Sequence, residues 1–219
     1  MAYSDFTNLD DVESQFGITI LSAAPLFRDA KAVPASAPIR YLLEENVSLA
    51  LNINTEKARS EFIIAPVLVE VRQLLEKKVS LFSGIDFTVD VSCGLNGYCD
   101  FLLSYSPDQV FLRAPVACIV EAKNENIKSG YPQCITEMIA ARIFNERHRH
   151  AVPAILGVVT TGSNWKFLQL QGGHVLIDFD EYLISQVEKI LGIFVAALQQ
   201  IAPVVAEPAP AADASYGVR

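Results

Sequence analysis

Apolar and polar positions along this chain follow different periods in different stretches, and each period predicts an element. The stretch 56–78, EKARSEFIIAPVLVEVRQLLEKK, sets Phe62, Pro66, Val69 and Leu74 among charges at helical spacing. It predicts one helix, bent at Pro66 or starting there, because proline brings no backbone donor. Two-residue alternation over 81–91 and 98–105, then the stretch 116–122 with its apolar run 116–120, predict three strands. The links CGLNG and SPDQ carry turn residues, so these strands should form an antiparallel meander. Helical spacing returns over 127–148, a strand is expected at 154–160, and WKFLQL, QGG and HVLID read as a hairpin. A last helix is expected from 181 to about 202, apolar nearly all round after Ile190, which suits a core position or a homodimer interface.

The order is helix, three strands, helix, strand, then a hairpin and a helix. Strands on both sides of a crossover helix predict an α/β fold with a mixed central sheet flanked by helices. Residues 1–36 read as an irregular arm with a short helix near 10–16, ending in the linker-like AVPASAP at 32–38. The folded domain is expected over 37–202. The Ala/Pro-rich 203–219 is expected to be disordered.

Composition narrows the function. Of 219 residues, 51% are hydrophobic and the mean hydropathy is +0.29, ample for a core and somewhat greasy for a monomer. No apolar run approaches the ~20 residues that span a bilayer, and the polar, acidic start does not resemble a secretory signal; a cytoplasmic protein without membrane contact is expected. The net charge of −8 argues against a surface that grips nucleic acid by charge alone. Cys93, Cys99, Cys118 and Cys134 include no CxxC pair and read as reduced thiols, the last two in the core. There is no GxxxxGK[ST], GxGxxG, GxSxG or HExxH, so P-loop, dinucleotide, α/β-hydrolase and zincin chemistry lack support.

The chemistry concentrates where strands that should be buried carry charge. Asp100 interrupts the apolar GYCDFLL, and a buried lone carboxylate is costly unless it is paired or metal-bound. The apolar strand at 116–122 ends in Glu121 and is followed by Lys123, two residues on and therefore on the same side of the pleat. Two carboxylates from adjacent strands suit a hard divalent cation such as Mg²⁺, which takes one or two carboxylates and keeps its waters. The plainer alternatives are a strand end meeting solvent with an ordinary ion pair, and Asp100 capping a turn.

An Asp, about twenty residues, then Glu-x-Lys on such a framework resembles the PD-(D/E)xK nucleases, with their restriction-endonuclease-like αβββαβ core. The matching residues are Asp100 and EAK, Glu121 to Lys123. The resemblance implies Mg²⁺ (or Mn²⁺) held by Asp100, Glu121 and the Ala122 carbonyl, with Lys123 acting on the attacking water. RSEFIIAPVLVEV resembles the opening helix of the nuclease domain of type I restriction subunits, which makes Glu61 the helix acid. Gln133 matches the glutamine that many members carry on the following helix. The implied activity is phosphodiester hydrolysis of DNA, less readily RNA; the rival is a catalytically silent accessory module of the same fold. Cys99 stands where the family has Pro, and Glu137 where one branch has Tyr.

The surrounding residues have simpler readings. Gln133 and Glu137, i and i+4, read as neighbours on a solvated helix face. Glu61 also reads as an ion-pair partner of Lys57. The NERHRH run, 145–150, suits a helix C-terminus, where cations meet the negative end of the dipole. Trp165 and Lys166 read as the start of a hairpin strand, with base stacking on Trp165 as the alternative, and His174 as structural.

Overall fold

Two mostly apolar strands form the centre of the sheet in the computed structural model, which describes residues 2–22 and 24–202. They are β4 (Val116–Ala122) and β5 (Ile155–Thr160), buried at every position, as expected of strands covered on both faces. They run parallel, in register from Cys118↔Leu156 to Ala122↔Thr160. The crossover between them is α5 (Tyr131–Arg147), preceded by one 3₁₀ turn, Ile127–Gly130. On one side β3 (Tyr98–Ser104) pairs antiparallel with β4, and β2 (Ser80–Asp86) antiparallel with β3, which makes the meander read from the turn chemistry. On the other side β6 (Asn164–Gln171) and β7 (His174–Ile177) form the expected hairpin against β5.

The sheet extends past these elements. β1 (Thr19–Leu21) adds parallel to β7, and β8 (Tyr182–Leu183) pairs with β6. Among the described residues the result is an α/β fold with an open, mixed sheet of eight strands. One face is covered by α2 (Ala37–Ile53), α4 (Ala65–Leu74) and α6 (Val187–Ile201); the other by α5 and by α1 (Leu9–Phe16).

Several boundaries differ from the sequence reading, each for a physical reason. The arm is built rather than irregular: Tyr3, Phe6, Val12 and Ile18 are buried against α5 and the sheet. Ser36 opens α2, a helix the sequence pattern hides because only Ile39, Leu43 and Ala50 are buried along it. β2 stops at Asp86, whose carboxylate turns back to accept from the Thr88 N–H and hydroxyl. The last helix starts at Val187, because the residues before it form β8 and a 3₁₀ turn.

The helix expected over 56–78 has three parts: α3 (Glu56–Arg59), a π-turn (Ser60–Ile64), and α4. Pro66 supplies no N–H, and the segment before it takes wider turns, with Ala65 N donating to Ser60 O. The wider turn rotates the apolar stripe. The core takes Ile63, Ile64, Val67, Leu68 and Val71, while Val69 is half exposed. The apolar residues of α6, among them Leu191, Phe194 and Leu198, pack into the same core, so this chain itself accounts for the greasiness of that helix. Among the described residues, no helix is long and apolar enough to cross a membrane. Residues 203–219, expected to be disordered, lie outside the described residues.

Candidate functional site

Antiparallel pairing of β3 with β4 aligns Phe101 with Val120, and one step further on lie Asp100 and Glu121. Asp100 Oδ2 accepts a hydrogen bond from the Ala122 N–H at 2.8 Å, which ties the two strand ends together. Lys123 follows where β4 leaves the sheet, its N–H donating to Thr160 O at 2.8 Å. Its ammonium donates to Glu121 Oε1 and, at 3.3 Å, to Gln133 Oε1. Gln133 in turn donates from Nε2 to Glu137 Oε1 at 3.1 Å. The site is therefore a chain of four side chains, Glu121, Lys123, Gln133 and Glu137, with Asp100 beside it. Gly130 makes room for it: a Cβ there would stand 2.6 Å from Val159 Cγ1 and 3.2 Å from the Lys123 methylenes.

Burial sets the electrostatics. Glu121 is 1% exposed, and burial, then the Asp100 charge, push its carboxyl up to about 8 against the pull of Lys123. Asp100 is raised by burial, with the Ala122 N–H and Lys123 working against the shift. Burial opposes the Lys123 ammonium, but the charge and hydrogen bond of Glu121 outweigh it and hold the lysine above its usual value. Glu137 is 0% exposed and lies well above the ordinary carboxylate range, first through burial and then through Glu121.

Glu137 is thus no part of a solvated face, which corrects the sequence reading. The arm lies over α5 and presents Tyr3, and Cys99 lies on the sheet beneath; both feel the Glu137 charge. The groups around Glu137 include Tyr3, more than a hundred residues away in sequence.

The helix acid also differs in part. Glu61 is half exposed and paired with Lys57 at 2.8 Å, the plainer of its two readings, although it shares a small cleft of about 280 Å³ with Asp100. Glu56, in the first turn of α3, lines the same cleft; its charge is felt by Glu121 and Lys123, and its own carboxyl is raised by burial first and then by Asp100. Sequence spacing misses Glu56, because the π-turn breaks the register that would relate it to the core face. The only signal is its place just after the N-cap Thr55. Arg59 is another buried charge the sequence does not single out, its guanidinium donating to Thr161 O at 2.8 Å and Asn54 Oδ1 at 2.9 Å.

Other residues fall into structural roles. Trp165 is buried and donates from Nε1 to Gly162 O, so it offers no face to a base. His174 is exposed on β7. Cys99, Cys118 and Cys134 are buried free thiols, while Cys93 is exposed. In the NERHRH run, Asn145 is buried and clamps both the N–H and the carbonyl of Val116.

The residues fit a hard cation on one structural ground. Glu121 Oε2 is buried with no hydrogen-bond partner, an oxygen that calls for a positive neighbour. Among the described residues no three His, Cys, Asp or Glu side chains stand together as a metal cage. Mg²⁺ does not require one, since one or two carboxylates and retained waters suffice. No known protein family matches the chain, and no curated protein matches it.

Proposed function

We propose that this chain is a Mg²⁺-dependent phosphodiesterase acting on DNA, with a restriction-endonuclease-like core formed by α3–α4, β2, β3, β4, α5 and β5. The observation that carries the reading is the juxtaposition at the ends of β3 and β4. There Asp100 is tied to Ala122 while Glu121 and Lys123 are paired beside it. Asp100, Glu121 and the Ala122 carbonyl are the oxygens that would hold the ion, and Mn²⁺ would serve in its place. When bound, the ion polarises a phosphoryl oxygen and acidifies a water.

The remaining work falls to side chains. Lys123 places an ammonium beside the carboxylates, where it orients the attacking water and offsets charge developing on the phosphate. Gln133 holds that ammonium in place from α5, and Glu137 fixes the Gln133 amide so that its oxygen faces the lysine. Glu56 joins Glu61 as the acid contributed by the opening helix.

The test is cleavage of single- and double-stranded DNA, and of RNA, by the purified chain with Mg²⁺ or Mn²⁺, beside Lys123→Ala and Asp100→Asn. The expected result is metal-dependent cleavage that falls by about a hundredfold or more in both variants. Equal cleavage by all three proteins overturns the reading. Metal-independent folding with no cleavage at all supports the silent accessory module instead.

A further inference from the structure

Next to the carboxylates lies a larger feature to which that reaction assigns nothing: an open cleft of about 480 Å³. It begins at Asn124, the residue after Lys123, and its far wall is the turn between β5 and β6. It therefore opens at the carboxyl ends of the two parallel strands, the place where open α/β sheets hold ligands. Its size lies within the ~300–1,000 Å³ typical of a site for one small ligand.

The lining has a definite chemistry. Arg59, Lys128 and Lys166 face two carboxylates, Glu125 and Glu181, a local cation excess in a chain of net charge −8. Both carboxylates already accept hydrogen bonds, Glu125 from Asn54 at 3.1 Å and Glu181 from Asn164 at 2.5 Å. Tyr131, at the foot of α5, supplies an aromatic ring beside the amides of Asn124 and Asn164. Two buried polar atoms of the lining, Arg59 Nε and Asn124 Oδ1, have no hydrogen-bond partner. Cations, an aromatic ring and amides together fit a nucleotide: phosphate to the cations, base against the ring, base edge to the amides.

We propose that this cleft takes one unstacked nucleotide adjoining the scissile phosphate, which directs the chain to single-stranded nucleic acid. The proposal rests on the phosphodiesterase reading and adds a substrate class to it. A base inside a duplex is stacked on its neighbours and cannot lie against Tyr131, so the cleft selects strands whose bases are free.

Binding measured in EDTA separates this idea from catalysis. A fluorescent oligothymidylate of about eight nucleotides, within the range of single-strand site sizes, and the matching duplex are titrated by anisotropy. The proteins are the wild type, Tyr131→Ala and the exposed Lys128→Glu, each checked for fold by circular dichroism. The expected result is at least tenfold tighter binding of the single strand by the wild type. Each variant should weaken single-strand binding by about tenfold, and Lys128→Glu should also lower its salt dependence. Equal binding of strand and duplex, or variants that bind like the wild type, overturn the proposal. If cleavage still requires Lys123 and Asp100 in that case, the nuclease reading stands without the subsite. Single-strand binding that requires Tyr131 in a protein that never cleaves supports the cleft and rejects the nuclease.

Discussion

Glu121 combines two properties that oppose each other: it ends a fully buried strand, and it is ionisable. Its carboxyl sits at about 8 in the folded chain, against about 4.3 in an unfolded one. Between those values the folded state holds a proton that the unfolded chain has released, so the contribution to stability is complete below about pH 4 and is lost as pH rises through about 8. Glu137 is shifted in the same direction and adds to the slope. Glu121→Gln keeps an acceptor for Lys123 and removes the titration. In EDTA its melting temperature should match the wild type near pH 4 and exceed it increasingly up to pH 8.5. Parallel curves from circular dichroism melts would show that no such carboxyl is held. Glu121 was legible as a site residue because a charge ending an apolar strand stands out. Glu137 was not, because its polar neighbours on the helix suggest solvent and the groups that bury it come from elsewhere in the chain.

At the scale of elements, one close approach and one irregular turn decide how helices are set. Gly192 on α6 passes so near the arm that a Cβ would stand 1.9 Å from the Lys31 carbonyl oxygen. Backbone cannot swing aside as a side chain can, and Val33 N is bonded to Glu188 O on the same stretch of α6. Gly192→Ala should therefore cost about 1–3 kcal/mol, the range for overpacking. For a chain of this length that is a fall of about 2–4 °C per kcal/mol in melting temperature. An unchanged melt would mean that the arm does not rest on α6. The π-turn at Ser60–Ile64 is the other decisive element. It turns α3 so that Glu56 lines the cleft beside Asp100 and Arg59 reaches Thr161, whereas the resemblance of the helix sequence pointed to Glu61.

The whole molecule depends on its arm. Residues 2–21 cover α5, place Tyr3 with its hydroxyl donating to Phe87 O at 2.6 Å, and close one edge of the sheet with β1. Removing residues 1–21 should expose the apolar surface beneath Phe6, Val12 and Ile18, open the β7 edge and let water reach Glu137. A fall in melting temperature of about 10 °C or more is expected, with dye binding and light scattering both increased. A truncated chain that melts like the intact one would show that the arm is an appendage.

The sequence by itself determined the central elements and the register-independent part of the site. The short apolar run Val116–Val120, with turn residues on either side, reads as a strand covered on both faces, and a meander, a crossover and a hairpin follow from period and turn chemistry. Asp100, Glu121, Lys123 and Gln133 were readable because each lies on or beside a strongly patterned element. Only the tertiary structure decided the rest: the folded arm, the α2 helix with its narrow buried stripe, the π-turn that brings in Glu56 and Arg59, and the burial of Glu137. Those features depend on contacts between segments far apart in the chain. The apolar period of one segment records which face is buried, but not which distant residues cover it.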